Sequence, residues 1–176
     1  MMKSVLIAIR PQWVEKIASG EKTIEVRKTA PQEVPFKCYI YETKGQYVKF
    51  THGAHTKYGY GRGKVIGWFI CDKVDEYHYD YCDGVDIDDD TILETAIDRE
   101  DINIYAKGKT LYGWHISDLK IYDKPKELSE FSRPCSYSGL CFSCKRTRFK
   151  KDGNLLCNTK ITRPPQSWMR VEDLGD

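Results

Sequence analysis

The chain has no apolar run near its N-terminus longer than Val5–Ile9. That is too short for the core of a secretion signal or for a membrane span. The expectation is a cytoplasmic protein without a membrane partner. It has no internal repeat and no low-complexity tract, which excludes solenoids and disordered linkers. Net charge is nearly absent too, at +2 over 176 residues, but the near-balance conceals strong segregation. Between Lys44 and Lys64 there is no acid, against five cations (Lys44, Lys49, Lys57, Arg62 and Lys64). Between Asp72 and Asp101 there are only two cations, Lys73 and Arg99, against 13 acids. From Arg133 to Arg163 eight cations face a single acid, Asp152. Such blocks let a nearly neutral chain present a basic face to a polyanion.

What the chain does contain is an ordinary soluble composition, 40% apolar and 31% charged, with seven cysteines. The apolar content suffices for one packed core. Val5–Arg10 reads as a buried strand, and Pro11 suits the first turn of a helix. Trp13, Val14, Ile17 and Ala18 recur at helical spacing, and Gly20 is placed to end that helix in a left-handed turn. Thr23–Arg27 alternates, so Ile24 and Val26 face the core while Thr23, Glu25 and Arg27 share the other face. Phe36–Glu42 and Lys64–Val74 read as further strands. In the acidic middle, Thr91 with Glu94 has capping-box spacing, and Asp98 opens a second short helix closed near Gly108. Leu111–Tyr122 resumes strand character until Pro125, and Ser167–Val171 returns as a last strand. The stretch between Ser132 and Pro165 has little periodicity.

Three groups of residues could carry chemistry. Lys22, Thr23, Glu25 and Arg27 combine both charge signs at a helix-to-strand turn. A lysine there could hold a phosphate, or act as base or nucleophile if burial lowered its pKa. The basic segment Lys44–Lys64 interleaves its cations with Tyr47, Phe50, His52, His55, Tyr58 and Tyr60. Lys57 and Arg62 suit phosphates, and Tyr58 and Tyr60 suit stacking on unpaired bases. A glycine-hinged hairpin is the plain alternative. Its Gly59–Gly63 run lacks the Lys-Ser/Thr end of a phosphate loop. The third group, Cys135, Cys141, Cys144 and Cys157, has the ligand count of a structural zinc site with one C-x-x-C knuckle, or else remains four reduced thiols.

The segments Ile9-Arg10-Pro11-Gln12-Trp13, Ser19-Gly20-Glu21-Lys22-Thr23-Ile24-Glu25-Val26-Arg27, Gly113–Leu119 followed by Pro125, and Arg163–Trp168 resemble the ASCH (activating signal cointegrator homology) domain of bacterial and prophage proteins. The resemblance implies an α+β, PUA-like small mixed β-barrel with rim helices over residues 1–131. An irregular Cys-rich lobe over 132–165, the site of the expected structural zinc, and a return strand and tail over 166–176 complete the expected organisation. It also implies a ligand cleft beside the Gly-Glu-Lys-Thr turn and RNA or a nucleotide as ligand. Some members are ribonucleases or N4-acetylcytidine amidohydrolases, in which the lysine matching Lys22 is catalytic. The amidohydrolases carry a threonine where this chain has Glu25, so Glu25 would have to take another part in catalysis. A protein-interaction module, with the Cys-rich lobe as its surface, is the third class considered.

Overall fold

The computed structural model describes residues 2–52, 55–135, 147–149, 155–157 and 159–175. The chain begins with β1 (Lys3–Ile9) and α1 (Pro11–Ala18), then β2 (Ile24–Arg27), β3 (Phe36–Glu42), β4 (Gly45–His52), β5 (His55–Gly61), β6 (Val65–Cys71) and β7 (Val74–Tyr77). The acidic middle holds β8 (Tyr79–Asp80), β9 (Gly84–Val85), α2 (Asp89–Thr95) and α3 (Arg99–Ala106). It is followed by β10 (Leu111–His115), β11 (Ser117–Lys126), a 3-10 turn (Leu128–Glu130), β12 (Thr147–Phe149), β13 (Leu155–Cys157) and β14 (Trp168–Val171).

Two sheets build the body. The first runs β11-β6-β3-β1-β14, with β1 and β3 parallel and the other pairings antiparallel. Its central strands are apolar on both faces, because each face is covered. One face packs Val5, Ile7, Ile9, Cys38, Ile40 and Phe69 against Val14 and Ile17 of α1. The other packs Leu6, Tyr39, Tyr41 and Val65 against Leu128, Phe131 and Ile161. The second sheet runs β2-β10-β7. Val26, Leu111 and Tyr77 of this sheet close over Ile87, Ile102 and Ala106 from the acidic middle. Trp114 of β10 ties the sheets together, edge-on to Phe36 at 5.1 Å and to Trp168 at 5.9 Å. Among the described residues the strands therefore form separate sheets, with β11 and β14 as free edges of the larger one. The expected α+β class holds, and among the described residues the sheets do not close into one barrel.

Local departures have local causes. Pro125 does not stop β11. It sits within the strand, which tolerates it because β11 is an edge with one partner, β6. The cap of α2 is Asp88, whose carboxylate accepts from the Thr91 amide and hydroxyl at 2.8 and 2.7 Å, so Thr91 is capped and is not itself the cap. Gly20 does take the left-handed conformation, at φ +79°. No helix among the described residues is long and apolar enough to cross a membrane. Of the four candidate zinc ligands, Cys135 is exposed and Cys157 lies on β13 opposite Thr147. Cys141 and Cys144 lie outside the described residues, as does most of the expected Cys-rich lobe.

Candidate nucleic-acid interface

Lys22 follows the turn that Gly20 makes possible, and its amide donates to the Lys16 carbonyl at 3.0 Å. The side chain then turns inward and is 1% exposed. Its ammonium donates to the carbonyls of Thr95 at 2.6 Å and Ile24 at 2.8 Å, and lies 3.4 Å from Glu25 Oε2. The Trp13 ring is 5.7 Å away. Burial pushes the Lys22 pKa down, and the charge of Glu25 opposes the shift without cancelling it. Glu25 is itself buried, and its second oxygen is 2.9 Å from the Arg27 guanidinium, which also donates to the Ala8 carbonyl at 2.8 Å.

Glu25 and Arg27 do share a face of β2, as the alternation predicts, and Glu25 is buried on it. That face of β2 turns to the first sheet, and the three charges form one internal chain. Through Lys22 it joins the C-terminal turn of α2 to β2, and through Arg27 it joins β2 to β1. Lys16 adds a contact to the Ala96 carbonyl at 3.4 Å, so two cations meet the carbonyl end of a helix that has no base in its own last turn. Thr23 keeps its side chain outside, while its backbone links Glu94 and Ile116 at 2.9 Å each.

A groove of about 330 Å³ does run beside the turn, between α1 and β4. Gln12, Glu15, Lys16, Ser19, Glu21, Tyr47, Val48 and Lys49 line it, and Lys22 does not. Its charges are matched locally, Lys16 with Glu21 and Lys49 with Glu15, each at 2.7 Å. Little unbalanced charge is left there for a polyanion.

The basic segment is a two-stranded hairpin standing off the body. Its inner face is held by Glu15 of α1, which accepts from Tyr47 Oη at 2.8 Å and Lys49 Nζ at 2.7 Å. The Lys49 contact, then Tyr47, holds the Glu15 carboxyl below its ordinary range. Tyr47 lies over Gly59, its cross-strand partner, so closely that a Cβ on Gly59 would sit 2.4 Å from the ring. The opposite face pairs Gln46 with Tyr60 and Val48 with Tyr58. Tyr58, Tyr60 and Val48 are 48%, 71% and 54% exposed. Arg62 follows the last residue of β5, anchored by its backbone amide to Glu42 at 2.7 Å, with its guanidinium exposed and 3.8 Å from that carboxylate. Lys57 is also exposed. Lys57, Tyr58 and Tyr60 thus lie on β5, with Lys57 on the alternate face and Arg62 just past the strand's end, and Lys22, Thr23, Glu25 and Arg27 form a separate cluster around β2. Glu15 and Gln46 were not singled out from sequence; the charge match between a helix glutamate and Lys49 was the available sign for the first.

A mixed α+β body of two packed sheets, with a basic hairpin raised on a short N-terminal helix, defines the class. No protein-family profile and no curated protein matches the sequence. Solved structures do match. The ASCH protein from Zymomonas mobilis is 16% identical, with a TM-score of 0.55 over 97% of this chain and 88% of that one. A serine-to-alanine variant of the same protein gives 0.53, also at 16% identity, over 97% and 89%. The chain has the fold of the ASCH domain.

Proposed function

We propose that this protein binds RNA, and that the β4–β5 hairpin takes it. The observation that carries this reading is the outer face of the hairpin, where two exposed tyrosines lie in a segment with five cations and no acid. Large aromatic rings left in water on an isolated ribbon contribute little to a core. Beside cations they suit the two surfaces of a nucleic acid strand, its bases and its phosphates. The fold supports the same reading, since RNA binding is what the resemblance to ASCH domains implies. The Lys22 cluster serves a different purpose here. An ammonium with two carbonyls and a carboxylate already around it, at 1% exposure, holds the frame on which the hairpin stands.

The test is the salt dependence of binding to single-stranded RNA. Each phosphate neutralised contributes about −0.7 to the slope of log K against log salt concentration. Replacing Lys57 and Arg62 together by alanine should flatten that slope by about 1.4 if each cation meets one phosphate. A slope unchanged in the double variant would remove the hairpin from the interface.

A further inference from the structure

Resting on that reading, we infer that the hairpin selects unpaired strands and binds two successive bases, one on Tyr58 and one on Tyr60. The two residues are i and i+2 on β5, so their side chains leave the same face of the ribbon. At a rise of about 3.4 Å per residue their anchor points are about 6.8 Å apart. Bases in a DNA duplex follow one another every 3.4 Å or so along a strand, and in an A-form RNA duplex they follow no less closely. Rings at twice that spacing cannot each receive one of two neighbouring stacked bases, whereas an extended strand with its bases unstacked matches them one to one. A duplex also buries its base faces within its own stack, so it offers these rings only edges and phosphates.

The rest of the face agrees with this ligand. Val48 lies opposite Tyr58 and extends the apolar floor, and Gln46 lies opposite Tyr60. Arg62 is exposed just past the end of β5, two positions beyond Tyr60, and supplies a cation near where a backbone phosphate follows the second base. The face has one orientation only, because Tyr47 covers Gly59 and is hydrogen-bonded to Glu15 on the other side. Among the described residues paired with the two tyrosines, Gln46 brings an amide to a base edge and Val48 brings no polar group. Recognition therefore tolerates sequence and depends on the presence of bases as such.

The experiment measures affinity for a short oligouridine RNA, for the same strand carrying one or two adjacent abasic sites, and for a duplex of equal length. The proteins are the full chain and its Tyr58→Leu, Tyr60→Leu, double-Leu and double-Phe variants. Each leucine should weaken the single strand about 5- to 150-fold, the equivalent of 1–3 kcal/mol per stacked base. The double-Phe variant should bind as the parent does, since it keeps both rings. Duplex affinity should be low and unmoved by any of the four. Abasic sites should weaken the parent and leave the double-Leu variant indifferent. Leucine variants that bind the single strand like the parent would overturn the two-base site, while a salt slope still reduced by the Lys57 and Arg62 changes would leave the hairpin reading standing. A parent chain that binds no RNA would overturn both.

Discussion

Replacing Lys22 by alanine should destabilise the protein by about 3–5 kcal/mol, the usual cost of removing one partner from a buried ionic cluster. The change would strip the Thr95 and Ile24 carbonyls of their 2.6 and 2.8 Å donors and leave Glu25 with Arg27 alone. It would also open a void beneath Trp13. Lys22→Met fills most of that void without supplying a donor, so it should recover only the packing part of the loss. Chemical denaturation of the two variants separates the contributions. A loss below about 1 kcal/mol, the range of exposed pairs, would mean that the ammonium is a solvent-facing cleft group. The alanine variant would then be a clean probe of ligand chemistry, which on the present geometry it is not.

Gly61→Ala should release the hairpin from the body. A Cβ at this position would lie 1.9 Å from the Thr43 carbonyl oxygen and 2.4 Å from the Pro11 ring. Neither neighbour can withdraw. The Thr43 backbone is tied to Ile9 at 2.9 Å, and Pro11 is the buried first residue of α1. Overpacking of this kind costs about 1–3 kcal/mol, and here the relief available is for β5 to swing away from α1. Both Glu15 contacts would go with it. Amide exchange should accelerate across 45–61 while β1, β3 and β6 keep their protection, and RNA affinity should fall although no ligand-facing side chain has changed. Parental exchange in the hairpin together with parental affinity would show that the stem does not depend on this close approach.

Much of the frame was legible in the residues themselves, and the reasons differ from element to element. Pro11 and Gly20 bracket α1 because each permits only a narrow range of backbone, so the helix was placed to within a residue. Phe36–Glu42 was bounded correctly because turn formers precede it and a polar run follows. The alternation of Thr23–Arg27 was also real, and it put Glu25 and Arg27 on one face without telling what that face meets. Alternation marks two faces, and a four-residue strand does not say whether the polar face meets water or a second layer. Only the long-range contacts of Lys22 with Thr95 and of Arg27 with Ala8, 73 and 19 residues apart, decide that. The hairpin was visible as charge and aromatic content before it was visible as structure. Its glycines suggested the hinges of a hairpin, and Gly59 also makes room for the Tyr47 ring between paired β4 and β5.

The central claim is that RNA meets this protein on the outer face of β4–β5. Backbone amide NMR of the full chain during titration with single-stranded RNA tests it most directly. The account predicts that the largest shift changes fall on Gln46, Val48, Lys57, Tyr58, Tyr60 and Arg62, while the amides of Lys22, Thr23 and Thr95 stay in place. Changes concentrated at the Lys22 turn or in the groove by Ser19 and Glu21, with the hairpin silent, would contradict it.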